Sequence, residues 1–150
     1  SQYIYIITKL CEKGSIYKYL LVEKTKISKE QFYSILMESS IGLAYLHEEN
    51  VIHRDVAARN YLIANPFKIY LSDFGMSRLL TENKDTQSTK SDIGPIRWMA
   101  PESIFKSEYS KKSDVYMYGM FLYEIIHRSV PFVEIENVLD VSETIATGNG

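Results

Sequence analysis

Three short blocks, taken in order, constrain this chain more than anything else in it. They are His53-Arg54-Asp55-Val56-Ala57-Ala58-Arg59-Asn60, then Asp73-Phe74-Gly75, then Ala100-Pro101-Glu102. Asp55 and Asn60 are five apart on one irregular stretch. Beyond them, Tyr61-Leu62-Ile63 and Lys68-Ile69-Tyr70-Leu71 flank Ala64-Asn65-Pro66-Phe67, which predicts a hairpin. A hairpin returns the chain to its starting point, so Asp73 is expected beside Asp55 and Asn60. Two carboxylates and an amide at one spot offer the hard oxygen ligands that magnesium prefers. Phosphoryl transfer needs such ligands on the phosphates and a group to orient the attacking hydroxyl. In that chemistry Asp55 orients the hydroxyl, Asp73 bridges magnesium to the phosphates, and Asn60 holds a second magnesium. Each block alone is a weak signal, and Asp55 by itself reads as a loop-capping carboxylate. The ordered set carries the reading.

The bulk numbers exclude several other classes. At 150 residues the chain is one domain or a piece of one. Its net charge of -2, with no basic run, gives no reason to expect nucleic acid as a partner. A single cysteine, Cys11, excludes a disulfide framework and fits a reducing compartment, so a cytoplasmic setting is expected. The opening Ser1-Gln2-Tyr3-Ile4-Tyr5 lacks the charged start of a signal peptide. The longest apolar stretch, 115–126, contains Gly119 and Glu124 and is too short to span a bilayer. Both termini read as cuts through a larger fold.

Tyr3 to Thr8 is rich in β-branched and aromatic residues and predicts a strand, broken at Glu12-Lys13-Gly14. Ser15 is placed to cap a short helix over 16–22. Ser28-Lys29-Glu30-Gln31 fits a capping box. Phe32, Ile35, Leu36, Leu43 and Leu46 then share one face of a helix ending near His47, with Gly42 inside it. Residues 80–93 are polar and aperiodic and predict a long mobile loop, a length usually reserved for function. Ser113-Asp114 is expected to cap a second long helix to about His127, apolar around most of its circumference and hence buried. Asn137 is placed to cap a last helix over 138–146, with Gly148 just past its end. The prediction is a mainly α unit with one or two small β hairpins.

The three blocks resemble the catalytic loop, magnesium loop and activation-segment end of a eukaryotic protein kinase. The resemblance extends to Tyr5-Ile6-Ile7-Thr8-Lys9-Leu10-Cys11-Glu12-Lys13-Gly14-Ser15, which is similar to the strand and hinge that join the two kinase lobes. It implies the large, C-terminal lobe of the kinase fold, truncated at both ends, with a hinge strand at 1–14 and the lobe at 15–150. It also implies ATP and Mg2+ as cofactors and a protein substrate. Thr8 would be the gatekeeper beside adenine. The backbone of Lys9 and Cys11 would hydrogen-bond adenine, and Leu62 would pack beneath it. Ile6-Ile7-Thr8-Lys9 superficially matches the strand carrying the ATP lysine, but no Gly-x-Gly-x-x-Gly precedes it. The 150 residues thus hold the substrate side of a phosphotransfer site without the ATP clamp.

Ala57-Ala58-Arg59 and Pro95-Ile96-Arg97-Trp98-Met99 resemble the tyrosine kinase and tyrosine-kinase-like branch. By that resemblance Arg59 assists Asp55, and Trp98 with Pro95 shapes a shelf for a tyrosine ring. Trp98 also reads as a core anchor, and both readings are compatible. Arg54 would pair with a phosphate on the activation segment. No tyrosine lies between Asp73 and Glu102, so Thr81, Thr86, Ser88, Thr89 and Ser91 are the available hydroxyls there. His53 and Phe74 would stack to couple the lobes, and Asp114 would hold the catalytic-loop backbone. Glu102 normally pairs with an arginine beyond Gly150, so a buried unpaired carboxylate is expected. The implied reaction is transfer of the ATP γ-phosphoryl to a protein hydroxyl, tyrosine above serine or threonine. The alternatives are a serine/threonine or dual-specificity enzyme, and a non-catalytic lobe that binds a partner.

Overall fold

A computed structural model of the chain describes Tyr5 and residues 7–80, 87–88 and 95–147. The capping box forms as expected. The Ser28 hydroxyl accepts the Gln31 N–H at 3.2 Å, and the Gln31 side chain accepts the Ser28 N–H at 2.9 Å. It starts α1, Lys29–Glu48, whose buried side is Ile35, Ser39 and Leu43. Before it, a wide helical stretch spans Tyr17–Val22, with Ser15 Oγ accepting the Lys18 N–H.

The predicted hairpin is β2, Tyr61–Ala64, with β3, Lys68–Leu71, in the register Tyr61 to Leu71 and Ala64 to Lys68. α1 lies along β3, where Glu38 accepts the Ile69 N–H at 2.7 Å and satisfies a buried strand donor. Gly42 of α1 faces Leu71, and a Cβ there would meet the Leu71 Cβ at an ordinary 3.8 Å. Close packing therefore does not demand the glycine. Gly42→Ala is expected to raise stability by about 1 kcal/mol, the helix-propensity difference, in urea unfolding.

Two other strand pairs join distant segments instead of forming hairpins. β1, Val51–Ile52, pairs with β4, Arg78–Leu79, and β5, Gln87–Ser88, pairs with β6, Glu108–Tyr109. The remaining helices are α2, Pro101–Lys106, α3, Lys111–His127, and α4, Val138–Thr147. Most of the predicted 80–93 loop, and Gly148, lie outside the described residues.

Three expectations need correction. α3 starts one turn earlier than predicted, because Ser110 and Ser113 form the reciprocal cap. Asp114 is thereby inside the helix, with its carboxylate available for other work. α3 is also not buried all round: Met117, Phe121 and Ile125 face the core, whereas Val115 and Ile126 are exposed. Finally, no strand forms at Tyr5 or 7–8, where Ile7 is 95% exposed. No described strand pairs with that segment, and β-branched composition without a pairing partner does not make a sheet. The rest of that predicted strand lies outside the described residues.

The main core joins α1, β2–β3 and α3 through Ile35, Leu43, Tyr61, Ile63, Ile69, Met117 and Phe121. The Tyr61 and Phe121 rings lie 4.5 Å apart, and the Tyr61 hydroxyl donates to the Ser39 carbonyl. Burial pushes the Tyr61 phenol far above its usual range, so it stays protonated. A second cluster of Ile52, Met99 and Tyr109 sits beneath the segment entering α2. The irregular stretch 53–60 leads from Ile52 of the second cluster to Val56 and Ala58, which belong to the first.

Candidate active site

Residues 53–60 contain little regular structure, so their backbone donors must be met from elsewhere. Asp114 of α3, fully buried, meets two of them. Its carboxylate accepts the His53 N–H at 2.7 Å and the Arg54 N–H at 2.8 Å. The same carboxylate takes His47 Nε2 of α1 at 3.0 Å. Arg54 has φ 68, a left-handed conformation unfavourable for a side chain with a Cβ. The Asp114 bond to its N–H holds it there. The Arg54 guanidinium, itself buried, lies 4.0 Å over the Tyr109 ring.

His53 is buried and fixed at both nitrogens. Its Nδ1 accepts the Asp55 N–H at 3.3 Å, so Nε2 carries the proton and donates to the Ser72 carbonyl at 3.0 Å. The ring meets the edge of Phe74 at 5.5 Å. This is the stack expected between the first and second blocks.

Asp55 is held by the two residues singled out with it. The Arg59 guanidinium donates to Asp55 Oδ1 in an i,i+4 ion pair. Asn60 Nδ2 donates to Asp55 Oδ2 at 2.7 Å and to the Asp55 carbonyl at 2.6 Å. Those bonds use the amide N–H2 and leave the Asn60 side-chain oxygen, Oδ1, as its ligand atom, distinct from its backbone carbonyl. Asp73 arrives by way of the hairpin. Ser72 donates both its N–H and its hydroxyl to the Asn60 carbonyl, at 2.9 and 2.8 Å. Asp73 has φ 61, and its Oδ1 accepts the Gly75 N–H at 3.2 Å. A Cβ on Gly75 would come to a tight 3.2 Å from that same oxygen, so a larger residue there would require the Asp73 carboxylate to give way by a few tenths of an ångström. The other carboxylate oxygen suits a cation. Asp73 and Asn60 together offer the hard oxygen donors that magnesium takes, and the side chains present fit that metal. Among the described residues no three His, Cys, Asp or Glu side chains form a closed metal cage.

The candidate adenine residues are less enclosed. Thr8 and Lys9 are exposed, while Cys11 and Leu62 are half-buried. The segment is docked onto β2 by the Lys13 N–H donating to the Ile63 carbonyl and the Ile63 N–H donating to Gly14. Glu12 adds an acceptor for the Asn65 N–H at 3.0 Å.

Trp98 is a core anchor. It packs on the main core while Arg59 lies 4.6 Å over its ring. Arg59 is thus shared between Asp55 and Trp98. Arg97 donates to the carbonyls of Pro131, Phe132 and Ile135 and ties down the turn before α4. Glu102 is half-buried, not buried as expected, and sits in the first turn of α2 where the helix dipole favours a negative charge.

Two functional positions were not read from the sequence. His47 looked like a helix-end residue, yet it bridges α1 to Asp114. Glu124 looked only like an interruption in an apolar run. It is fully buried, and its Oε2 accepts the Ala58 N–H at 2.8 Å. Burial raises its pKa above the usual carboxylate range, partly offset by the Ala58 N–H, Trp98 and Arg59. A raised folded-state pKa means the folded chain binds this proton more tightly than the unfolded one. Its contribution to stability is complete below about pH 4.3, the unfolded value, and is lost as pH rises through the folded value. Glu124→Gln keeps an acceptor for Ala58 without the charge. Urea unfolding at acid and neutral pH is expected to show a smaller loss with rising pH in this variant than in the wild type.

Comparison with known proteins gives the family. Residues 1–149 match the family profile of protein tyrosine and serine/threonine kinases. The chain is 34% identical over 145 residues to human tyrosine-protein kinase TXK, covering 97% of this chain and 27% of that protein. It is 40% identical over 126 residues to human tyrosine-protein kinase FRK, covering 82% of this chain and 25% of that protein. The chain therefore spans about a quarter of the length of these relatives. With the family profile matched almost from end to end, the chain belongs to the protein tyrosine and serine/threonine kinase family.

Proposed function

We propose that these residues form the large lobe and hinge of a kinase that transfers the ATP γ-phosphoryl to a protein tyrosine. One observation carries the reading: Arg59 pairs with Asp55 while lying over Trp98. The group that would orient a hydroxyl is thereby linked to an aromatic surface able to receive a ring. The names of both human relatives point the same way.

Asp55 would accept a hydrogen bond from the incoming hydroxyl and take its proton as the phosphoryl group moves. Asn60, donating to both the carboxylate and the carbonyl of Asp55, fixes the direction of that oxygen. Arg59 restrains the other carboxylate oxygen. Asp73 and Asn60 would hold Mg2+, which when bound neutralises charge on the phosphates. The backbone of Lys9 and Cys11 would receive adenine, above Leu62. A single half-buried cysteine and an ATP-dependent reaction suit the cytoplasm, or the cytoplasmic side of a membrane receptor. No described helix is long and apolar enough to cross a membrane.

The test is transfer of labelled γ-phosphate to peptides carrying only tyrosine or only serine and threonine. The 150-residue chain alone is expected to transfer almost nothing and to bind nucleotide weakly. A chain extended by the glycine-rich loop and lysine strand of a tyrosine kinase is expected to prefer the tyrosine peptide by at least about tenfold. Equal use of the serine and threonine peptide would reassign the acceptor. Robust transfer by residues 1–150 would overturn the large-lobe reading.

A further inference from the structure

Among the described residues, Glu124 is a fully buried acid that the chemistry above does not use, and its surroundings are those of the active site. Its Oε2 is occupied by the Ala58 N–H, in the middle of the catalytic loop. Its Oε1 has no hydrogen-bond partner, and neither does the buried indole Nε1 of Trp98. The two groups are neighbours: the Trp98 N–H is set toward the Glu124 carboxylate as a hydrogen-bond donor that lowers its pKa, in a geometry looser than an ordinary hydrogen bond. Arg59 and Asp55 complete the charged surroundings of Glu124. An orphaned donor facing an orphaned acceptor in a buried place is costly, and a small shift of the Trp98 segment would join them. Buried hydrogen bonds in active sites are often long and draw in when the reactants are held.

We propose that Glu124 is a positioning residue for phosphoryl transfer, joining the catalytic loop at Ala58 to the acceptor shelf at Trp98. It rests on the kinase reading above. Glu124 touches neither substrate nor metal. It acts through Trp98, on whose ring Arg59 lies, and through Arg59 on Asp55. When an acceptor ring presses on the shelf, the Trp98 N–H closes onto Glu124 Oε1. Loop, shelf and α3 then move as one unit, with Asp55 aimed at the hydroxyl. The role belongs to the acceptor side, so ATP binding should not depend on it.

Glu124→Gln separates this role from a structural one. Its carbonyl still accepts from Ala58, but its amide N–H2 opposes the Trp98 N–H, so the shelf link alone is lost. The full chain has a single tryptophan, so Trp98 emission reads the shelf directly. The variant is expected to keep the wild-type circular dichroism while, with a tyrosine peptide held on the shelf, acrylamide quenching of Trp98 is about twofold greater than in the wild type, as for a ring whose link has not closed. In the extended, ATP-binding protein, kcat/KM for a tyrosine peptide should fall roughly tenfold, the worth of one hydrogen bond to a charged group, with KM for ATP unchanged. Trp98→Phe should give a similar loss, and the double variant should be no worse than Trp98→Phe alone. If Glu124→Gln does not fold, Trp98→Phe carries the same kinetic comparison from the other side of the link.

Unchanged quenching with unchanged peptide turnover in folded Glu124→Gln would overturn the proposal. Equal losses for peptide and ATP would overturn it too, since they mark a residue that only supports the fold. If the extended wild-type protein transfers no phosphate, the kinase reading falls and the transfer role of Glu124 falls with it. The quenching response identifies that case, because it persists without catalysis.

Discussion

Asp114→Ala is expected to destabilise the chain by about 3–5 kcal/mol, the usual loss when one partner of a buried charged network is removed. The Asp114 carboxylate is fully buried and accepts from His53 N–H, Arg54 N–H and His47 Nε2. Alanine leaves two buried backbone donors without their carboxylate partner, at about 1–3 kcal/mol each. Arg54 is held left-handed at φ 68 by one of those bonds and would relax toward the ordinary region. Asp55, the next residue, would move with it. A domain's whole stability is about 5–15 kcal/mol, so the loss is a large fraction of what exists. Asp114→Asn should fall between, because its amide N–H2 must oppose one of the donors. Urea unfolding followed by circular dichroism checks both variants. An alanine variant within about 1 kcal/mol of wild type would show that these bonds are easily replaced.

The same carboxylate illustrates what was legible in the sequence. Asp114 was expected to hold the catalytic loop, and it does, but helix capping was also offered as its local job. The choice between Ser110 and Ser113 as cap depends on which hydroxyl finds a reciprocal partner, and both fit a one-dimensional pattern. Short-range signals fared well where local chemistry decides: the Ser28–Gln31 box, the β2–β3 hairpin, and the return of the chain to Asn60 through Ser72. They failed where a partner distant in the chain decides. The aromatic and β-branched start had the composition of a strand but pairs with no described strand. His47 and Glu124 gain their roles from groups 67 and 66 residues away. One signal for Glu124 was present: an acid inside a largely apolar helix, which burial tolerates only with a partner.

Asp55, proposed to take the hydroxyl proton, keeps its backbone contacts when its carboxylate becomes an amide, so substitution there should separate chemistry from stability. Asp55→Asn, made in a protein extended by the ATP-binding segments, is expected to lower kcat by about 10²–10⁴-fold, the range for a positioned general base. The amide matches the carboxylate in shape, so the His53 contact to the Asp55 N–H and the Asn60 contact to its carbonyl survive. Lost are the negative charge facing Arg59 and one of the two acceptor oxygens. An amide cannot take the hydroxyl proton at neutral pH. Because Asp73 and Asn60 would hold the metal, KM for ATP should stay within about twofold. Asp73→Asn should behave in the opposite sense, raising the Mg2+ concentration needed for half-maximal rate. It takes charge from the metal and leaves the hydroxyl acceptor intact. Steady-state rates against peptide, ATP and Mg2+ distinguish the two. If Asp55→Asn turns over at the wild-type rate, the proton is taken by another group and Asp55 serves only to bind Arg59 and Asn60.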